Sequence, residues 1–145
     1  GKILFYFVKV YKKKVDGVEL DFEIYDSSLS LIEKNIRIFN EDILEFDLSK
    51  NRYGAFILND PLKKEDDLLK LVLRIKREYK KVHLIFINLS LLKQNLILKE
   101  LSIDFEFKAS KNKNIFFCSL NYLIFGALTK NRTWNLSLPW TCYTI

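Results

Sequence analysis

Apolar positions along the chain alternate or cluster with three different rhythms. The runs ILFYFVKVY (residues 3–11) and VELDFEIY (residues 18–25) are rich in aromatic and β-branched residues. With Asp16-Gly17 between them as a turn dipeptide, they predict a hairpin over residues 2–26. IRIF (36–39), YGAFIL (53–58) and VHLIFI (82–87) predict further short strands. Asn40 is placed to cap a helix with Glu41 and Asp42 in its first turn, although Ile43, Leu44, Phe46 and Leu48 mix helical and alternating spacing. Asp60-Pro61 stops a strand and opens the clearest helix, with Leu68, Val72, Ile75 and Tyr79 on one face. Its acids (Glu65, Asp66, Asp67) stand at the start and its bases (Lys76, Arg77, Lys80, Lys81) at the end, as the helix dipole favours. SLLKQN (90–95) predicts a short helix closed by Asn95 in a left-handed cap. LILKELSIDFEF, NIFFCS, YLIFGALT and WNLSLPW predict a strand-rich C-terminal part, with a turn at Asn131-Arg132.

The pattern predicts a mixed α+β chain: a small N-terminal α/β lobe over residues 1–81 and a strand-rich lobe over residues 82–145. At 145 residues and 49% hydrophobic, it can bury a core and is not compositionally disordered. No apolar run reaches the length of a membrane span, and the N-terminal stretch does not read as a signal peptide. The expectation is a cytoplasmic protein, in which the N-x-S/T matches at Asn88, Asn131 and Asn135 arise by chance.

A net charge of +6 favours a polyanionic partner, only moderately, since a solvated Lys-rich surface gives the same charge. Cys118 and Cys142 form no metal pattern and leave a disulfide open, which a reducing compartment argues against. The lone histidine, His83, lies in an apolar run and reads as a packed residue rather than a ligand, so no metal and no cofactor are expected. The four glycines, Gly1, Gly17, Gly54 and Gly126, are scattered and build no phosphate loop. Asp104 and Glu106 share one strand face and offer a minor alternative, a metal-dependent nuclease.

Four segments, in order, resemble the archaeal tRNA-splicing endonucleases: residues 36–54 with the turn Arg52-Tyr53-Gly54, residues 62–73, residues 90–107 and residues 122–140. The resemblance covers about two thirds of the chain and implies a C-terminal lobe like a reduced tRNA-intron endonuclease domain. That family cleaves precursor tRNA at bulge-helix-bulge motifs with a Tyr, a His and a Lys. The matching positions here hold Lys108, Asn114 and Asn121. Asparagine cannot serve as general acid or base, and Lys108 supplies only charge. The resemblance therefore implies a non-catalytic, structural subunit, paired two plus two with a catalytic endonuclease subunit and contributing to recognition of precursor tRNA.

Within that reading Lys108, Lys111, Lys113, Lys130 and Arg132 are the candidate RNA contacts, with ordinary exposed lysines as the equal alternative. Trp134, Leu136, Leu138 and Trp140 alternate along one strand face and are the candidate subunit interface. An unrelated basic RNA-binding or assembly module is the remaining alternative.

Overall fold

Short apolar runs become parallel strands here because both faces of the sheet are covered. In the computed structural model of the protein, residues 4, 8–10, 12–30, 32–79, 81–101, 108–109, 115–120 and 142–144 are described, with backbone alone at 50, 108–109, 116–120 and 142–144. The elements are β1 (Val15–Val18), α1 (Phe22–Leu29), β2 (Ile36–Phe39), β3 (Ala55–Asn59), α2 (Glu65–Glu78), β4 (Val82–Ile87), α3 (Leu91–Leu101), β5 (Lys108–Ala109), β6 (Ile115–Leu120) and β7 (Cys142–Thr144). Residues 4 and 8–10 are also helical, and Leu48–Lys50 forms a single 3-10 turn.

One seven-stranded sheet takes the order β2-β1-β7-β3-β4-β6-β5. The first five strands are parallel, with Ile36, Val15, Cys142, Ala55 and His83 in one row across them. β6 is antiparallel to β4 and to β5. The central position between β1 and β3 is thus filled by the strand nearest the C-terminus. This single sheet runs across the division expected between residues 81 and 82.

Alternation along each strand sorts side chains to two cores. Val15, Ile36, Ala55 and Ile57 pack on one face with Leu4 and Val8. Val18, Phe56, Leu58, Val82, Leu84 and Phe86 pack on the other, against Phe46 and Leu48 and against helices α2 and α3. In α2, Leu68, Leu71, Val72 and Ile75 are fully buried, each contributing about 1.5–3 kcal/mol by removal from water. Glu65, Asp66 and Asp67 stand in its first turn and Lys76 and Arg77 in its last, as the sequence predicts, whereas Lys81 lies beyond the helix end.

The mixed α and β composition, β2, β3, β4, β6 and α2 match the sequence expectation. The hairpin over residues 2–26 does not form. Residues 4 and 8–10 are helical, Asp16 and Gly17 lie inside β1, and Phe22–Leu29 is a helix. A Cβ at Gly17 would come within 2.9 Å of Leu4 Cδ1, the tip of a flexible side chain, so this glycine marks a close approach inside the strand rather than a turn. Asn40 caps no helix; its Nδ2 donates instead to the carbonyls of Glu19 (2.8 Å) and Leu20 (3.2 Å), tying the ends of β1 and β2. Helix α3 runs through Asn95 to Leu101, in place of the expected cap and strand. The predicted strands YLIFGALT and WNLSLPW lie outside the described residues. β6 and β7 are separated by β3 and β4, so the backbones of Cys118 and Cys142 stand roughly 14 Å apart, beyond disulfide reach.

The largest polar group inside the fold is a carboxylate clamp at the amino edge of the sheet. Asp16, 1% exposed, accepts from Arg37 Nε (2.8 Å) and Nη2 (2.6 Å), from the Tyr53 hydroxyl (2.7 Å) and from Asn51 Nδ2 (3.0 Å). The hydrogen bonds to Asp16 raise the Arg37 pKa, and burial followed by Asp16 raises that of Tyr53. Helix α2 holds the segment before β3 from the other side. Arg74 donates to the carbonyls of Leu44 (2.7 Å) and Phe46 (2.6 Å). The Tyr79 hydroxyl lies 2.5 Å from Leu48 O and 2.9 Å from Asn51 O, and its one proton serves one of them at a time. Burial pushes Tyr79 up to about 12.

Candidate ligand crevice at the carboxyl edge of the sheet

Strand order decides where this fold can hold a ligand. From β1 the chain moves outward through α1 to β2, and from β3 it moves the opposite way through α2 to β4. The reversal opens a crevice beyond the carboxyl ends of the strands that flank β7, the place where doubly wound sheets bind ligands.

Four loops meet at that edge. After β1 come Glu19 and Asp21. Glu19 Oε1 accepts the Asp21 N–H (3.0 Å), and Asp21 Oδ1 caps α1 by accepting from the N–H groups of Glu23 (2.9 Å) and Ile24 (3.1 Å). After β2 come Asn40 and Asp42, whose Oδ1 accepts the Leu44 N–H (2.9 Å). The Glu19 N–H donates to Phe39 O (2.9 Å), which fixes these two strand ends together. After β3 comes Asn59, whose Oδ1 accepts from Asn88 Nδ2 (3.0 Å) at the end of β4. Asp60 and Asn88 both hold left-handed backbone, with φ of 43° and 59°. Non-glycine residues rarely adopt it, and such positions gather at ligand sites. Lys93 on α3 is nearly buried, and its ammonium donates to Asp60 Oδ1 (2.6 Å) and Leu62 O (2.5 Å), locking the turn after β3.

The two sides of the crevice differ in charge. Residues 15–23 and 38–46, which form the β1 and β2 side, include Glu19, Asp21, Glu41 and Asp42 and no lysine or arginine. On the β3 and β4 side Asp60 is neutralised by Lys93. The carboxylate side suits hydroxyl and amine donors and repels phosphates. Among the described residues no group of three or more His, Cys, Asp or Glu side chains converges as a metal site. His83, half-buried in β4, is held below its ordinary pKa by burial.

Of the candidate RNA-contact, interface and catalytic-position residues, Lys108 alone lies among the described residues. The backbone of Lys108 lies in β5, paired antiparallel with Phe117 of β6. Lys111, Lys113, Lys130, Arg132, Asn114, Asn121, Asp104, Glu106, Trp134, Leu136, Leu138 and Trp140 lie outside the described residues. Asn40, Asn59 and Asn88 are legible in the sequence as amides after apolar runs, whereas Glu19 falls inside the run expected to form the second strand of a hairpin.

The chain matches no known protein family and no curated protein. It does match solved structures. One is an rRNA methylase from Streptococcus thermophilus, at 13% identity and a TM-score of 0.51, covering 74% of this chain and 72% of that one. Another is the N-methyltransferase NodS from Bradyrhizobium japonicum WM9 in complex with S-adenosyl-L-homocysteine. It matches at 8% identity and a TM-score of 0.53, covering 74% of this chain and 65% of that one, just under two thirds. At these identities the likeness shows the fold, a doubly wound, Rossmann-like sheet.

That finding overturns the resemblance to tRNA-splicing endonucleases, and with it the structural-subunit function. The segments at 36–54 and 62–73 are a strand, a turn and a helix, a local sequence that any βα unit supplies; the parallel central strands decide the fold. The expected catalytic partner subunit and precursor tRNA rested on that family. Neither the basic RNA-binding module nor the metal-dependent nuclease is favoured by the neighbours. No helix among the described residues is long and apolar enough to cross a membrane.

Proposed function

We propose that the crevice takes an adenosyl ligand of the S-adenosylmethionine type and that the chain is the cofactor-holding part of a methyltransferase. The observation that carries this reading is the pair of acidic strand ends, Glu19 with Asp21 and Asp42, beside the switch point. In doubly wound folds an acid at the end of the strand next to the switch point accepts the ribose hydroxyls. Glu19 and Asp21 stand at that place, each with one carboxylate oxygen used to hold the loop. Asp42 stands at the neighbouring strand end and can accept from an amine on the base. A ligand without phosphates fits the local charge, because the carboxylates of Glu19, Asp21 and Asp42 would repel a dinucleotide's pyrophosphate. Asn59, Asn88 and the Asp60–Lys93 turn border the same edge from the far side and would orient the reacting end. When bound, the sulfonium group supplies the activated methyl, and the chain's part is positioning. The fold likeness to two methyltransferases, one of them holding S-adenosyl-L-homocysteine, supports the same reading.

Calorimetric titration with S-adenosyl-L-homocysteine tests it. The expected result is saturable binding in the micromolar range, weakened at least tenfold, about 1.4 kcal/mol, by Glu19→Gln or Asp42→Asn without loss of folding. ADP should bind more weakly than the adenosyl ligand. A folded protein that takes up no S-adenosyl-L-homocysteine at about 1 mM would remove the proposal.

A further inference from the structure

The edge opposite the crevice carries a second charged surface. Each parallel strand with described flanks is preceded by a basic residue. Lys13 and Lys14 precede β1, Lys34 precedes β2, Arg52 precedes β3, and Lys81 precedes β4. Register places these loops along one edge, because Val15, Ile36, Ala55 and His83 share a row. At about 4.8 Å per strand the row from β2 to β4 is roughly 19 Å long.

Helix dipoles explain part of this charge. Lys76 and Arg77 lie in the last turn of α2, Lys81 follows its end, and Lys12 closes the N-terminal helical segment through its N–H to Val8 O (3.0 Å). Lys34 lies four residues beyond the cap of α1, Lys13 and Lys14 come directly after Lys12, and Arg52 follows the cap of the 3-10 turn, so the dipole of a long helix accounts for none of these four. Among the described residues none of these four forms an ion pair. Carboxylates near this edge have other partners: Glu33 pairs with Lys9 at 2.8 Å, Asp16 is buried under Arg37, Asp47 accepts from Ser49, and Glu78 pairs with Arg74.

We infer that this rim is a docking surface for the phosphodiester backbone of a single-stranded nucleic acid. A linear row of unpaired cations, one loop per strand, matches a chain of phosphates better than it matches a flat lipid surface, which asks for no such line. The surface lies a strand's length from the crevice, so it holds nucleic acid at a distance from that site. The inference does not rest on what the crevice binds.

Fluorescence anisotropy with a labelled 12-nucleotide RNA tests it at 50 and 200 mM salt. Expected is micromolar binding that weakens with salt, falling at least tenfold at 50 mM salt in the triple variant Lys14→Gln, Lys34→Gln, Arg52→Gln. The salt slope should drop by about 2, near 0.7 for each phosphate that the variant no longer neutralises. The charge-matched triple Lys63→Gln, Lys64→Gln, Lys70→Gln, on the other side of the sheet, should bind as the parent does. Circular dichroism melts show whether both variants stay folded. A parent that does not bind RNA, equal losses in the two triples, or binding to phosphatidylserine vesicles in place of RNA would each overturn the inference. Should the amino-edge triple unfold, Arg52→Gln alone, at an exposed loop position, is expected to halve the affinity or more, and no change would equally overturn it.

Discussion

Alanine substitution of Asp16 and Arg37, separately and together, separates the cost of a buried charge from the strength of the pair that neutralises it. The two partners are unequally placed: the Asp16 side chain is 1% exposed, whereas that of Arg37 is 58% exposed. Arg37→Ala leaves a carboxylate sealed from water with only Tyr53 and Asn51 as donors. Breaking a buried pair from that side costs about 3–5 kcal/mol, and the two remaining hydrogen bonds place this case near the lower figure, about 3. Asp16→Ala leaves a guanidinium that can turn to water. What it orphans is the Tyr53 hydroxyl, which keeps Asn51 Nδ2 at 3.1 Å, so about 1–2 kcal/mol is lost. The double variant has no buried charge and should resemble Asp16→Ala, giving a coupling of about 3 kcal/mol, the upper end for neighbouring residues. Urea unfolding at pH 7 reads this directly. With a slope of about 1–3 kcal/mol/M, Arg37→Ala should lower the midpoint by at least about 1 M, at unchanged slope. An Arg37→Ala cost below that of Asp16→Ala, or additive single effects, would refute the reasoning.

Two further outcomes follow from groups the fold buries. Burial raises Tyr53 and takes Tyr79 to about 12, while the unfolded chain ionises its tyrosines near 10. The neutral phenols are therefore favoured in the fold. Their stabilisation is complete below pH 10 and is lost as pH rises from 10 toward 12, because the unfolded state releases its protons first. Thermal melts at pH 9 and 11 should show the fall, and Tyr79→Phe should make it shallower; a midpoint flat across that window speaks against it. Lys93→Met keeps the buried stem and removes the ammonium that holds Asp60 and Leu62 O. A loss of about 1–3 kcal/mol is expected, with faster amide exchange at residues 60–62. Unchanged exchange there would show that Lys93 does not hold the turn.

Where local pattern and tertiary demand agree, the sequence is legible. IRIF, YGAFIL, VHLIFI and NIFFCS are strands because β-branched and aromatic runs suit a sheet covered on both faces. Helix α2 is readable from its apolar face, acidic start and basic last turn, although it begins at Glu65, four residues after Pro61, and ends at Glu78. Asp60-Pro61 ends β3 as its chemistry requires.

Elsewhere the deciding partners are far away in the chain. Asp16-Gly17 is a turn dipeptide by local chemistry, yet Arg37, Asn51 and Tyr53 draw Asp16 into a strand from 21, 35 and 37 residues away. The aromatic run near the N-terminus favours a strand by propensity, and packing of Leu4 and Val8 against the sheet makes those positions helical. Asn95 suits a helix end, but Ile97 and Leu101, buried in the larger core, carry α3 past it. The sequence by itself determined which runs are apolar, where charges cap α2, and that an amide closes the runs at Asn40, Asn59 and Asn88. Only the tertiary structure decided that these ends converge, because a crevice exists only once β7 has set β1 and β3 on either side of itself and the strand order reverses there.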